Sequence, residues 1–319
     1  MQNFLVDEAS RLDIFVAKIT QQSRSSVASL IKNNCVCVNE IIQNKNSLRL
    51  KVGDTLTLLP PSPQKPSAKY AAHFEVGVLF EDEDILVLNK PSALVVHPAP
   101  SVKEPTLVDW LIQRRYTLSN LGGEFRAGLV HRLDKETSGA IIIAKNNPSH
   151  RDLSLQLQDK SLGRIYLALI DLPLKETKMV VDKPLVRCPS NRIKKMAIEG
   201  CVRGAKEAKS AFVSLCSGSQ THLIAAKLFS GRTHQIRAHL ASLNRHILGD
   251  ELYGYRGGGD LRIMLHAYFI SFIHPKTREK IHIKAPLMSD FKQILEKKLS
   301  LGEDDEKISL HSLLDLFDF

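Results

Sequence analysis

The segment HRLDKETSG, residues 131–139, contains side chains that could carry out chemistry on a substrate. His131, Arg132 and Asp134 stand between two apolar runs, where we predict a loop followed by a small turn at residues 137–139. Loops held by a rigid sheet often carry catalytic groups. A nearby arginine favours the ionised form of an aspartate, which can then act as a nucleophile or a base. Taken alone, this aspartate is more simply explained as a surface ion pair or a turn former.

The sequence does not indicate a metal or nucleotide site. His234 and His239 are five residues apart on a predicted helix, whereas a metal-binding pair on one helix face is four apart. The five cysteines have no CxxC spacing, and there is neither a GxxxxGK(S/T) loop nor a GxGxxG turn after a strand. We therefore expect no metal site and no cofactor.

Composition points to a soluble protein with a polyanionic partner. The chain has 319 residues, a net charge of +10 and a pI near 9.3. Such a basic excess favours nucleic acid, although a basic protein without that partner is equally compatible with it. No apolar stretch approaches the ~20 residues of a membrane span, and acidic residues near the start argue against a secretory signal. We expect a cytoplasmic protein with reduced thiols, in contact with no membrane.

Residues 11–59 have the pattern of a small module of two helices followed by strands. The first helix follows from apolar residues at helical spacing, Leu12, Phe15, Val16 and Ile19. The second follows a potential N-cap at Ser23 and carries Val27, Leu30 and Ile31. The period then changes to two, which predicts strands at residues 36–38, 48–52 and 56–58.

The rest of the chain predicts a larger domain. PPSPQKPSAK, residues 60–69, is typical of an extended linker. Apolar runs predict strands at residues 85–91, 140–146, 165–170, 211–216 and 222–229, and helices are predicted after a cap at Thr106 and over residues 233–243. This mixture indicates an α+β fold around a mixed, mainly antiparallel sheet. An acidic break at residues 302–307 precedes an amphipathic C-terminal helix, which we expect to dock on the body of the domain.

Four blocks in order resemble the RluA family of RNA pseudouridine synthases. HRLDKETSG is similar to the family signature, and VLNKPSALVVHP, residues 87–98, to its Lys-Pro block. GRIYLALI resembles the block that contributes a tyrosine, here Tyr166, and residues 227–254 resemble the third block, whose arginine matches Arg237. Four ordered blocks are far more specific than one short motif.

The N-terminal module has a resemblance of its own. RLDIFVAKI, SRSSVASLIKNNCVCVNE and LKVGDTLTL are similar to a small S-four-like RNA-binding domain that often precedes this catalytic domain. Asn34 and Cys35 stand near a usual glycine of that domain, and Glu40 replaces another. The resemblance divides the chain into an S-four-like domain (1–59), a linker (60–74), a catalytic domain (75–301) and the acidic break with its helix (302–319).

The resemblance implies roles for three residues. Uridine is isomerised by breaking its bond from nitrogen to sugar, turning the base and joining C5 to the same sugar carbon. Asp134 would be the catalytic carboxylate, by attack on a carbon or by removal of a sugar proton. Arg237 would orient that carboxylate through a charge-assisted hydrogen bond, and Tyr166 would stack on the base.

The resemblance also implies contacts with RNA. Arg132 would fill the space left by the flipped base, since a guanidinium stacks on bases and pairs with phosphate. The other candidate contacts are His131, Lys90, Arg232, His234 and the loop residues Arg192, Lys194 and Lys195, with Arg24 and Lys32 in the N-terminal module. Each of these, taken singly, could simply be solvated.

The target and three alternatives follow. The VVHP and RCPSNRIKKMAIEG segments resemble the RluD type, which implies large-subunit ribosomal RNA, or its assembling particle, as substrate. A family member with a transfer RNA or other RNA target is one alternative, and a non-catalytic assembly factor is another. An N-glycoside hydrolase would need a second carboxylate, for which Glu136 is the nearest candidate. A monomer is expected by default.

Overall fold

The computed structural model describes residues 2–20, 24–59, 68–200 and 202–317. The chain divides into two compact units, residues 1–66 and 67–319. The predicted cap at Ser23, most of the predicted linker (residues 60–67) and Cys201 lie outside the described residues. Within them, the cysteines are free thiols: Cys35, Cys37, Cys188 and Cys216.

The N-terminal unit consists of two helices and a small antiparallel sheet around one apolar core. Its elements are β1 (Gln2–Leu5), α1 (Leu12–Thr20), α2 (Arg24–Lys32), β2 (Val36–Val38), β3 (Ile41–Ile42) and β4 (Thr55–Leu58). The strand order is β1-β4-β2-β3. Both predicted helices are present because their apolar stripes close this core, with Leu12, Phe15, Val16, Val27 and Ile31 buried.

The strand predicted at residues 48–52 is wrong. Leu50 is buried, as the alternating pattern required, but Val52 is 67% exposed. The amide of Leu50 donates to the carbonyl of Ser10 at 2.8 Å, and the segment forms only an isolated bridge between Arg49 and Arg11. The alternating apolar pattern therefore predicted the burial of Leu50 correctly. It did not predict the backbone pairing, because this segment contacts the residues before α1 and is not a strand of the sheet.

The turn between β2 and β3 uses residues other than glycine. Asn39 and Glu40 have φ values of 49° and 67°, the left-handed pair that a two-residue hairpin prefers. The Asn39 side chain secures the turn by donating to the Asp54 carboxylate and accepting from the Thr55 amide, each at 2.9 Å. These bonds offset the ~1 kcal/mol that a side chain costs in this conformation.

The larger unit is a nine-stranded sheet with helices on it. Its elements are β5 (Gly77–Glu81), β6 (Ile85–Lys90), α3 (Leu107–Gln113), β7 (Ser138–Ala144), α4 (Asn147–Gln158), β8 (Gly163–Ile170), β9 (Lys178–Asp182), β10 (Leu185–Arg187), β11 (Lys195–Ala197), β12 (Lys209–Ser217), β13 (His222–Leu228), α5 (Gln235–Ala241), β14 (Leu265–Ile273), β15 (Lys280–Lys284), α6 (Ser289–Ile294) and α7 (Leu310–Leu316). The sheet order is β5-β6-β7-β14-β8-β13-β12-β9 with β15 beside β14, and β10 and β11 form a separate hairpin. All pairs are antiparallel except β7 with β14, which confirms the predicted fold class. Across the described ranges, no helix is long and apolar enough to cross a bilayer.

Strand β7 is buried on both faces, since alternate side chains of a strand point to opposite sides. Ile141 packs in the cluster that contains Trp110 of α3, whereas Ile142 packs in the cluster that contains Leu153 of α4. Helix α3 begins at the predicted cap, where the Thr106 hydroxyl accepts from the backbone of the third helical residue. Helix α4 was not predicted because its sequence, NPSHRDLSLQLQ, is mostly polar.

The C-terminal helix packs on the larger unit. Leu313 of α7 and the following Phe317 are buried in the same apolar cluster as the sheet. The acidic segment before it is attached through Glu303, whose carboxylate accepts from the amide of Leu287 at 2.8 Å and pairs with Lys292. This arrangement agrees with the docked helix that we expected.

The parallel contact between β7 and β14 requires a glycine. Gly139 pairs with Ala267, and a Cβ at Gly139 would lie 2.3 Å from the carbonyl oxygen of Ala267. The φ of Gly139 is also +109°, which disfavours any other residue. The close approach holds β7, and with it the segment that precedes it, against the centre of the sheet.

We expect Gly139→Ala to lower the free energy of unfolding by about 3 kcal/mol, because a clash with backbone adds to the cost of positive φ. Gly204→Ala is the matched control, since Gly204 has a φ of +85° but no atom within 4 Å of the added Cβ. The control should cost about 1 kcal/mol. Urea unfolding at constant m measures both. Equal losses for the two variants would contradict the close contact.

Candidate active site

Asp134 lies in the loop that leads into β7. Its carbonyl accepts from the amide of Thr137 at 3.2 Å, so the turn spans residues 134–137. The turn predicted at residues 137–139 therefore begins three residues too late, because β7 already starts at Ser138. Leu133 and Thr137 are each 3% exposed and anchor the loop on either side. The Asp134 side chain is 17% exposed. The fold therefore presents this carboxylate at the surface of a firmly held turn.

Arg237 reaches Asp134 but is held by a different carboxylate. Its Nε and Nη2 atoms donate to both oxygens of Asp250, at 2.7 and 2.8 Å. The distance from Nη1 of Arg237 to Asp134 is 3.9 Å, so the two form an ion pair without the predicted charge-assisted hydrogen bond. Burial opposes the charge on Arg237, yet the hydrogen bond to Asp250 raises the pKa of Arg237 above its usual value. The arginine is thus always charged and already oriented.

A tyrosine supports the other side of this guanidinium. The Arg237 guanidinium lies 4.8 Å from the ring centre of Tyr253, within the range of a cation–π contact. The Tyr253 hydroxyl accepts from the amide of Lys195 at 2.8 Å and lies 3.1 Å from Nδ1 of His234. Burial raises the pKa of Tyr253 to about 12, so its hydroxyl keeps its proton at neutral pH. Tyr253 therefore links Arg237 to the β10–β11 hairpin.

Tyr166 lies in the middle of β8 and is 5% exposed. Its cross-strand neighbours in the register are Ala226 on β13 and Ala267 on β14, both with small side chains, and Tyr166 itself lines a pocket. Burial raises the pKa of Tyr166, so its hydroxyl is a hydrogen-bond donor at neutral pH. The arrangement suits stacking against a flat ligand.

One pocket contains all three residues to which the resemblance gave a catalytic role. Asp134, Tyr166 and Arg237 come from a loop, a strand and a helix that are far apart in the sequence. Its lining also includes Arg132, Arg164, Gly231, Arg232 and His234. The negative carboxylate thus stands in a cleft whose other charges are positive, which is suited to a polyanionic substrate.

The candidate RNA contacts fall into different environments. Arg132 is exposed at the pocket, and Arg232 is exposed while its Nε donates to the carbonyl of Glu207 at 2.9 Å. His234 is half-buried, and burial lowers its pKa, so it is neutral at pH 7. In the N-terminal unit, Arg24 and Lys32 are both exposed on α2. Four of these five predicted contacts are therefore exposed charged groups, and the fifth, His234, is a neutral polar group that is half-buried.

His131 and Lys90 differ from what was predicted. His131 is neutral because burial lowers its pKa to about 3, and its Nε2 accepts from the amide of Ile142 at 3.1 Å. Lys90 is fully buried, and its Nζ donates to the carbonyls of Pro91, Leu94 and Lys135 at 2.8 to 3.0 Å. Burial lowers the pKa of Lys90 to about 7. The predicted phosphate contact at Lys90 does not agree with this position, and the side chain instead ties the Asp134 loop to the Lys-Pro segment.

Sequence reasoning missed three residues at the site: Arg164, Asp250 and Tyr253. The alternation of side chains along a strand could have identified Arg164. It precedes Tyr166 by two residues in β8, so both side chains lie on the same face of the strand. Asp250 and Tyr253 both belong to the GDELYG segment of the third block. No spacing rule connects that segment to Arg237, because the contact depends on the fold.

The structure gives no reason to place a metal at this pocket. His239 was not expected to share a metal with His234, and its ring contacts the Ser210 hydroxyl and the carbonyl of Lys183. Within the described ranges, one group has the proximity of metal ligands, namely Asp82, Asp84 and His274, and it does not line the pocket. Its atoms already bond to one another and to nearby amides, as in the 2.7 Å contact between His274 and Asp82. We regard this group as structural.

Comparison with known proteins identifies the chain. The sequence model of a family described as RNA pseudouridylate synthase matches residues 84–242, and that of the S4 domain matches residues 10–56. A Helicobacter pylori protein named an uncharacterized RNA pseudouridine synthase is 51% identical over 314 residues, which cover 95% of this chain and 96% of that protein.

The chain belongs to the RNA pseudouridine synthase family. The Zymomonas mobilis protein named ribosomal large subunit pseudouridine synthase D is 35% identical over 304 residues, 92% of this chain and 94% of that protein. Human RNA Pseudouridylate Synthase Domain Containing 1 has the same fold, with a TM-score of 0.58, 22% identity and coverage of 77% of this chain and 96% of that one. The predicted family, with its S-four-like domain, is confirmed.

We expect Asp250→Asn in this pseudouridine synthase to lower kcat by at least roughly 10-fold, because Arg237 loses the charge that orients it. Breaking a buried pair should also cost about 3 kcal/mol of stability. Asp290→Asn is the matched control, since Arg262 holds Asp290 with the same two-bond geometry away from the pocket. Single-turnover kinetics and urea unfolding report the two effects. An Asp250→Asn enzyme with normal kcat would refute the positioning role.

Burial of Lys90 makes a second prediction. Lys90→Gln should leave the slope of RNA affinity against salt concentration unchanged, because this amine touches no phosphate. It should lower the free energy of unfolding by about 3 kcal/mol, since three buried carbonyls lose the amine that donates to them. Arg192→Gln, in an exposed loop that we predicted to contact the RNA backbone, should lower the magnitude of the slope by about 0.9. A reduced slope in folded Lys90→Gln would argue for the phosphate contact instead.

Proposed function

We propose that this enzyme isomerises uridines of large-subunit ribosomal RNA with Asp134 as the catalytic carboxylate. The observation that carries the proposal is that Asp134, Tyr166 and Arg237 line the same pocket. The similarity to the protein named ribosomal large subunit pseudouridine synthase D supports the ribosomal target. The VVHP and RCPSNRIKKMAIEG segments, which resemble the RluD type, agree with this target.

The pocket suits the chemistry of this isomerisation. The bond from N1 to C1′ breaks, the base turns, and C5 bonds to C1′; the proton on C5 is lost and N1 gains one. Attack of Asp134 on carbon and removal of a sugar proton both require an ionised oxygen. Arg237 at 3.9 Å stabilises the negative charge without occupying an oxygen lone pair in a hydrogen bond. Tyr166 would receive the uracil ring on its face.

The target base must leave its stack to enter this pocket. Unstacking is least costly in loops and bulges, which is where we expect the modified uridines. Exposed Arg132, next to the pocket, is placed to fill the vacated space in the RNA. Arg24 and Lys32 of the N-terminal unit would add phosphate contacts, in keeping with an S4 domain. We further propose a cytoplasmic monomer with the domain boundaries given by the sequence.

The hydrolase alternative finds little support in the positions of the carboxylates. Glu136 does not line the pocket, and its backbone carbonyl accepts from the Ser92 hydroxyl at 2.7 Å. Its charge lies near buried Lys90. A second carboxylate that activates water would have to face the same sugar carbon as Asp134.

Mapping pseudouridines in total ribosomal RNA and in transfer RNA tests the proposal. Cells that lack the protein are complemented with the native chain, with Asp134→Asn, or with Asp315→Asn as an exposed control on α7. We expect Asp134→Asn to lose one site or a clustered set in the large-subunit RNA, and the control to restore it. If pseudouridine is lost in transfer RNA alone, the substrate of the enzyme is transfer RNA. An unchanged pattern in both RNAs would favour a factor that acts by binding.

A further inference from the structure

Arg164 is a buried arginine without a partner. It lies on β8 and is 7% exposed, and its Nε is buried without a hydrogen bond. Neither a hydrogen bond nor an ion pair links its side chain to any other part of the chain that the structure describes. Buried charges in proteins are normally paired, because their desolvation is unfavourable. An unpaired guanidinium in this position can therefore bind an anion that comes from outside the chain.

The position of Arg164 is between two cavities. One is the pocket that contains Asp134 and Tyr166, and the other is a neighbouring cavity of about 300 Å³. Arg132, Arg164 and Gly231 line both of them. A Cβ at Gly231 would lie 3.0 Å from Nη1 of Arg164, so glycine keeps this side of the guanidinium free.

The second cavity combines an apolar wall with neutral hydrogen-bonding groups. Its wall includes Leu129 and Leu157, and the side chains of His97 and His131 also line it. The Nε2 of His131 accepts from an amide, so its proton is on Nδ1, which is buried without a partner. The Nδ1 of His97 is also buried and unpartnered. Burial lowers the pKa of His97 to about 4 and that of His131 to about 3, so neither ring adds positive charge at neutral pH.

This lining distinguishes a nucleotide from a simple anion. Apolar walls and imidazole edges accommodate the face and edge of a nucleobase, whereas an anion alone would be better held by charged donors throughout. The positive charge is concentrated at Arg132 and Arg164, where the cavity meets the catalytic pocket, and at exposed Arg126. In RNA, a phosphate connects each nucleotide to the next. A phosphate bound at the boundary of two adjoining cavities would therefore connect a nucleotide in one cavity to its neighbour in the other.

We propose that the cavity lined by His97 and His131 binds the nucleotide next to the target uridine, and that Arg164 binds the phosphate between the two. The proposal rests on the proposed function, because it takes the pocket at Asp134 as the place of the target uridine. It adds a second recognised nucleotide to the substrate. It also makes Arg164 a specificity-determining residue that contacts substrate without taking part in bond breaking.

The test pairs a protein variant with a substrate variant. The substrate is a synthetic RNA that contains the uridine found by mapping, with a neutral methylphosphonate placed at the linkage on one side of it or the other. Arg164→Met removes the charge and keeps the length of the side chain. Arg278→Gln is the control, because Arg278 is an exposed arginine paired with Asp152 and is remote from both cavities. Kcat/KM is measured for every combination in single-turnover reactions.

We expect one of the two methylphosphonates to lower kcat/KM of the native enzyme by roughly 10- to 100-fold, the size of one hydrogen-bonded contact to a charged group. Arg164→Met should show the same loss on unmodified RNA and no further loss with that methylphosphonate, because both changes delete one contact. Arg278→Gln should behave as the native enzyme. Losses that multiply in Arg164→Met, or a native enzyme indifferent to both methylphosphonates, would overturn the proposal.

Protein stability provides a second readout that does not depend on activity. An arginine with a structural role should destabilise the fold when replaced, whereas removal of an unpaired buried charge should leave the unfolding temperature unchanged or raise it. We expect the second result for Arg164→Met, and a clear fall would overturn the proposal. Failure of the proposed function is distinct from both, since it appears as absence of pseudouridine with the native enzyme.

Discussion

The pocket that contains Asp134 depends on the buried ion pair between Arg237 and Asp250. Burial opposes the charge on Arg237, and the hydrogen bond to Asp250 offsets that cost and raises the pKa of Arg237. Asp250 accepts from Nε and Nη2 of Arg237, which leaves Nη1 at 3.9 Å from Asp134. The pair is almost fully removed from water, so its geometry is held by strong electrostatic attraction rather than by a mobile surface contact.

The sheet extends this constraint to the rest of the domain. Tyr166 is fixed on β8 between β13 and β14, and β14 also pairs with β7, the strand that follows Asp134. Strands rather than flexible segments thereby connect the Tyr166 ring to the turn that carries the Asp134 carboxylate. Helix α5 brings Arg237 from the other side, and Tyr253 connects it to the β10–β11 hairpin. Rigid elements hold groups to the precision that catalysis requires better than loops alone would.

The sequence predicted the parts of this arrangement that local patterns determine. The spacing of apolar residues identified the β8 and β13 strands and helix α5, and the ordered motifs identified the family. It could not predict that Lys90 is buried, because its three acceptors are carbonyls that only the fold assembles. Nor could it predict that Asp250 is the main partner of Arg237, since a charged pair thirteen residues apart has no periodicity to reveal it. These two errors concern polar groups whose partners are set by tertiary contacts. The wrong strand at residues 48–52 and the missed helix α4 are errors of backbone structure, where the local pattern was misleading or too polar.

Three buried cations of this enzyme show how such partners can be used to interpret a site. Lys90 is satisfied by backbone carbonyls, which makes it part of the framework. Arg237 is satisfied by Asp250 and shares its remaining donor with Asp134, which makes it part of the pocket. Arg164 is equally buried, and the described residues supply no acceptor for it. An unpaired charge that is mostly buried lowers stability, and selection tolerates that loss where a ligand later provides the acceptor. In an enzyme that acts on RNA, the phosphate backbone is the acceptor that always accompanies the substrate.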